Sequence, residues 1–179
     1  MTTEALKSGS ITDLDGGTLG VPPVRHVAGS GAAGTLRDMQ DQVTATTGKT
    51  AGSTYQMIRL PSTVILKKLE WWVEATVTTF ANDVDLYYSD SPYDGTKVAN
   101  QGTVAANQLF GAAVDMHTAA APADLVYANL LGDKLNQPLW QAAGLSADPG
   151  GQFDIVLKNT STNSGAPVVH VRATYVVAD

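Results

Sequence analysis

The chain has 179 residues, no cysteine, 11 basic and 17 acidic side chains and a net charge of −6. Zero cysteines exclude a disulfide framework, a thiol nucleophile, and thiolate zinc or iron–sulfur sites. The length allows one domain plus an extension, and 44% hydrophobic with 16% charged residues is a globular composition.

The aromatic residues are confined to the stretch from Tyr55 to Tyr175, whereas positions 1–53 hold 9 glycines, 9 threonines and 4 serines. A segment with so little bulky apolar matter cannot bury enough surface to offset its ordering entropy. Residues 1–53 therefore read as an extended N-terminal arm and 54–179 as the folded body. The arm is near neutral and the body carries 7 basic against 12 acidic residues. That sign argues against a nucleic-acid partner. With no apolar run near ~20 residues, a membrane partner is not expected either. Glu4, Lys7, Asp13 and Asp15 interrupt any secretory signal, so the chain reads as intracellular at synthesis.

Along the arm, Pro22-Pro23 fixes extended backbone. Val24-Arg25-His26-Val27 and a glycine cluster over Gly29–Gly34 follow. Thr35 then caps an expected short helix reaching about Gln42, with Leu36, Met39 and Val43 on one stripe.

From Tyr55 the pattern turns to period two. Tyr55–Leu60 is a strand ended by Pro61, and Val64–Val77 is a long alternating strand with Leu69, Trp71 and Val73 on one face. Lys68, Glu70, Trp72 and Glu74 occupy its other face. Val84, Leu86 and Tyr88 alternate with Asp83, Asp85 and Tyr87, which reads as a strand with a solvent-facing acidic edge. Turn residues Ser91–Gly95 follow. Shorter strands are expected at Leu109–Val114 and Leu125–Tyr127, and one short helix from Pro138 to Gly144. Phe153–Leu157 and Val169–Val177 close the core. Short strands without alternating long helices indicate an all-β antiparallel sandwich of jelly-roll or Greek-key type.

The letters of Gly29–Gly34 match a dinucleotide fingerprint, but the required parallel βαβ context and trailing acidic residue are missing. Asp83, Asp85, Asp90 and Asp94 cluster about a turn without the spacing of a calcium loop. His26, His117 and His170 form no metal-spaced pair, and no Gly-x-Ser-x-Gly elbow occurs. Glu70 and Glu74 share a strand face, an undistinguished carboxylate pair. The chain is accordingly expected not to be an enzyme and to hold no metal or cofactor. Trp71 and Trp72, adjacent in a strand, must point to opposite faces, which leaves one ring for the exterior or a partner, or else a strand buried on both faces.

Two stretches carry a family resemblance. Ser53–Leu69 runs strand, Pro61-Ser62, strand, and Pro138–Ile155 holds Pro138-Leu139-Trp140 followed by Ala147-Asp148-Pro149-Gly150-Gly151 before Phe153-Asp154. They resemble the capsid decoration, or cement, proteins of tailed bacteriophages. The resemblance implies a jelly roll on the virion's capsid surface, made in the host cytoplasm. Its partners would be the major capsid protein and further copies of itself, as a homodimer or homotrimer that clamps neighbouring capsomers. No catalytic residue comes with it. The expected interface residues are Pro22, Pro23, Val24 and Arg25 in the arm, Leu36 and Met39 on the helical stripe, and Trp72 on the body. The competing expectation is a carbohydrate- or receptor-binding module of a phage tail or cell surface, with Trp72, Tyr87 and Tyr93 as stacking residues.

Overall fold

The computed structural model describes residues 3–7, 36–89, 102–118, 122–130, 132 and 134–177. Among the described residues there are nine strands: β1 (Ala5–Lys7), β2 (Leu36–Thr44), β3 (Thr54–Pro61), β4 (Val64–Val73), β5 (Ala81–Tyr88), β6 (Val104–Asp115), β7 (Ala123–Asp124), β8 (Gln152–Asn159) and β9 (Val168–Val177). Two short helices, α1 (Leu125–Asn129) and α2 (Leu139–Ala142), lie between β7 and β8.

The pairings follow one rule. β5 pairs with β6, β4 with β7, β3 with β8 and β2 with β9, all antiparallel. The chain from β2 to β9 is thus one long nested hairpin. Curling that hairpin on itself brings β4 against β9 and β5 against β8. The result is two sheets, ordered β1-β3-β8-β5-β6 and β2-β9-β4-β7. This is the jelly roll, in which consecutive strands mostly switch sheets. β1 is an addition to it, lying parallel to β3 on the outside of the larger sheet.

The core fills the space between the sheets. Tyr55, Ile58, Leu60, Phe153, Ile155, Leu157, Val84 and Leu86 from the larger sheet meet Leu66, Leu69, Trp71, Val73, Val169 and Val171 from the smaller. Each such side chain, fully buried, contributes roughly 1.5–3 kcal/mol. Strict alternation along β3 fails at one place, a bulge between Gln56 and Ile58. The extra residue, Met57, shifts the phase by one, so Ile58 and Leu60 join Tyr55 in the core. Arg59 then faces away from the core and meets Asp154 of β8 in a buried bidentate ion pair (Nε–Oδ1 2.6 Å, Nη2–Oδ2 2.9 Å).

Two expected elements are different in kind. The expected helix from Thr35 to Gln42 is instead β2, paired in unbroken register with β9 from Leu36–Val176 to Thr44–Val168. Its sequence is rich in helix formers, but nine residues of ladder outweigh propensity. The expected strand at Leu125–Tyr127 is helix α1, because the Asp124 side chain caps it by accepting from the Val126 amide at 2.9 Å. The expected 1–53 arm is also changed at its described pieces. Residues 3–7 and 36–53 belong to the sandwich, the first as β1 and the second as β2 with its following turns. Residues 8–35 lie outside the described residues.

Candidate functional site

The two outward sheet faces differ. On the larger sheet, Asp85, Asp154 and Val156 have no exposed surface, and Val156 stands apart from the central cluster. Its outward face is therefore covered. On the smaller sheet, the register sets Leu36, Val176 and Ile65 side by side in one row across β2, β9 and β4. Leu36 is 60% exposed. The next rows hold Asp38, Thr174 and Lys68, then Gln40, Arg172 and Glu70, then Gln42, His170 and Trp72.

The charges on this face neutralise one another. Arg172 donates to Asp38 at 2.8 Å and lies 4.0 Å from Glu70, which also accepts from Lys68 at 2.7 Å. Asp38 is held below the ordinary carboxylate range by the Thr174 hydroxyl first and by Arg172 second. In a chain of net charge −6, this face sets Lys68 and Arg172 against Asp38 and Glu70, with Glu74 held by His170. A partner can approach it without meeting a one-sign field.

Trp72 and His170 form the aromatic corner. Their rings stack at 4.8 Å and 2° between planes, and His170 Nε2 donates to Glu74 Oε1 at 2.8 Å. Trp71 is buried on the opposite face, as adjacency in a strand requires. One face of the Trp72 ring is therefore taken by His170. Tyr87 belongs to β5 in the other sheet and Tyr93 lies outside the described residues, so Trp72 and Tyr87 make no common stacking platform. Met39, half-buried, turns inward and packs against the core. Pro22, Pro23, Val24 and Arg25 lie outside the described residues.

Of the carboxylates considered above for metal or acid–base chemistry, Asp83, Asp85, Glu70 and Glu74 are engaged structurally. Asp83 and Asp85 are buried, not solvent-facing, and their Oδ1 atoms accept from the amides of Ala113 and Gln108 in β6. Asp90 and Asp94 lie outside the described residues. No group of three or more metal-ligating side chains occurs among the described residues. Glu70 and Glu74 are four residues apart along the chain, roughly 13 Å when extended, beyond the ~9.5 Å upper separation of a glycosidase pair. His117 bonds to Asp115, whose carboxyl is lowered by that contact. No described helix is long and apolar enough to cross a membrane.

A groove of about 370 Å³ opens where β6 bulges away from β5, between Gln108, Leu109, Asn129, Leu130, Lys134 and Ala142. Sequence reasoning missed it, as it missed the Arg59–Asp154 pair, because both depend on bulges that no residue pattern announces.

No family model matches the sequence, and no curated protein matches it. Similarity appears at the level of fold. A chain of the structure described as the capsid of Ralstonia phage GP4 superposes with a TM-score of 0.56 at 13% identity, over 82% of this chain and 87% of that one. A chain of the cyanophage Pam1 capsid asymmetric unit gives 0.43 at 18% identity, over 83% and 89%. At 13% identity the first likeness is one of architecture: the fold of this chain is similar, over 82% of its length, to that of a chain in a phage capsid structure.

Proposed function

We infer that this chain is a structural protein of a tailed-phage virion, binding the outside of the capsid as a decoration protein and bridging neighbouring capsomers. The observation that carries the reading is the complete nested hairpin, alike in architecture to a chain of the Ralstonia phage GP4 capsid structure across 82% of its length. The face of paired charges with Leu36 and Trp72 supplies the docking surface. Residues 8–35, with Pro22, Pro23, Val24 and Arg25, supply an anchoring segment. The partners are the major capsid protein and further copies of the chain, without a catalytic step or a cofactor.

Removing residues 1–50 would not test the anchor, because it would extract β1 and β2 from their sheets. Replacing 10–33 by a Gly/Ser tether of equal length removes the anchor and leaves every described strand. Co-sedimentation with shells of the major capsid protein from the same genome then reads binding. The expected result is a folded variant with at least ~10-fold weaker binding, about 1.4 kcal/mol. Undiminished binding refutes the anchoring claim. A glycan array on the wild type is expected to show no saccharide preference.

A further inference from the structure

β1 is a minimal strand with an elaborate seat. Only three residues pair, Ala5 with Thr54, Leu6 with Tyr55 and Lys7 with Gln56, and Leu6 alone adds a half-buried apolar side chain. Glu4 makes most of the attachment. Its carbonyl accepts from the Thr54 amide at 2.8 Å and its amide donates to Ser53 Oγ at 3.0 Å. Its carboxylate Oε1 accepts both the Tyr55 hydroxyl at 3.0 Å and the Thr46 amide at 3.0 Å.

The seat is built by the body of the sandwich: with residues 3–7 in place, Tyr55 and Ser53 have no exposed surface. With residues 3–7 gone, the part-buried Tyr55 hydroxyl and the Thr54 amide would lose their acceptor, as would the exposed Thr46 amide. Each lost partner in a buried setting is unfavourable by ~1–3 kcal/mol. The seat therefore needs an occupant, but nothing in its geometry requires that the occupant come from the same chain.

The connection is long enough to permit either. Residues 8–35 separate β1 from β2. Those 28 residues can reach ~90 Å if extended, against a radius of gyration of ~15 Å for a domain of this size. An exchanged strand makes the same contacts as a resident one, so exchange has little intrinsic cost. A tether of this length gives the resident strand an effective concentration in the millimolar range at most. Copies held side by side reach or exceed that value.

We propose that the seat formed by Thr46, Ser53, Thr54 and Tyr55 is a strand-exchange site, filled in the assembled protein by residues 3–7 of a second copy. It relies on the reading above only in needing copies to stand side by side. Assembled copies are then linked as a chain of strand donors and acceptors, and Glu4 is the residue that docks each link.

The absence of native cysteine makes the test clean. Ala5→Cys with Thr54→Cys places two thiols on registered partners of β1 and β3. The full chain is oxidised at ~10 μM and at ~1 mM, then run on a non-reducing denaturing gel with a free-thiol count. The expected outcome is intramolecular closure at the lower concentration. At the higher one, covalent dimers and larger species should form with both thiols consumed. Each single-cysteine variant can go no further than a dimer with one thiol per chain used. Thiols consumed with only monomer at ~1 mM would show that β1 stays at home, and unreacted thiols would show that it is not on β3; either overturns exchange. Shell co-sedimentation of the same variant separates this result from the virion reading, which survives if binding persists without exchange.

Discussion

The carboxylate of Asp85 accepts the amide hydrogen of Gln108 at 2.6 Å, and Gln108 sits at φ 54°, in the left-handed region. Asp83 does the same for Ala113, at 2.8 Å and φ 47°. These two are the only non-glycine residues of positive φ among the described residues. Where β6 bulges off β5, its freed amides are thus taken up by two buried aspartates. The backbone strain, about 1–3 kcal/mol per residue, is held by those bonds.

Asp85→Ala should therefore destabilise the fold by about 1–3 kcal/mol in urea denaturation, since it orphans the Gln108 amide. Asp85→Asn keeps an acceptor oxygen and removes a buried charge. Burial pushes the Asp85 carboxyl above its ordinary range, partly offset by the Gln108 amide. The charged form therefore opposes folding, and protonation relieves it. Wild type should gain stability relative to Asp85→Asn as pH falls through the raised folded value, until the unfolded carboxyl also protonates near pH ~3.9. A wild-type advantage that instead shrinks on acidification would contradict this assignment.

The Arg59–Asp154 pair is buried on both sides. Breaking one partner leaves an uncompensated charge, so Asp154→Ala should cost about 3–5 kcal/mol. Arg59→Met with Asp154→Leu should recover most of that loss. Thermal and urea denaturation of the single and double variants measures the coupling, and additive losses would refute it.

Tyr55 donates to Glu4 from a buried position, and burial followed by the Glu4 contact raises its phenol well above the ordinary range. A raised folded value means the contribution is complete below pH ~10, where the unfolded phenol is still neutral, and is lost as pH rises beyond it. Tyr55→Phe should cost about 1 kcal/mol at neutral pH and flatten the stability loss above pH ~10. An unchanged alkaline slope would contradict that origin.

On the open face, Asp38 is lowered by Thr174 and Arg172, so its contribution is present above pH ~3.9 and lost as pH falls through the lower folded value. The pair is half-exposed, and Asp38→Asn should change stability by less than ~1 kcal/mol. Leu36→Asp, at 60% exposure, should likewise leave the fold intact while weakening shell binding by ~10-fold or more. Circular dichroism melts beside shell sedimentation distinguish the two effects.

What could be read from the residues followed how local each signal was. The alternation in β4, β5, β8 and β9 carried the sandwich, and Pro138 to Gly144 announced α2. β2 was hidden because Leu36, Met39 and Val43 satisfy helical spacing while the whole segment also alternates, exposed against inward, in its ladder with β9. Only the long-range partner decides between those periods. The Leu125-Val126-Tyr127 run reads as a strand from its β-formers, and it is the Asp124 carboxylate just ahead of it that caps helix α1 instead. Asp83 and Asp85 looked solvent-facing because nothing local reveals that β6 carries more residues than β5 and turns its spare amides toward them. The interface candidates divide in the same way: Trp72 and Leu36 face outward as strand parity allows, and Met39 points inward once its strand is known.

The central claim is the place of this chain on a shell. Co-expression with the major capsid protein of the same genome, followed by gradient purification and cryo-electron microscopy of the particles, tests it most directly. The account predicts that the chain travels with the shells at fixed stoichiometry and adds jelly-roll density on the outer surface, across capsomer boundaries. A chain that remains at the top of the gradient, or density confined to the shell interior, would contradict it.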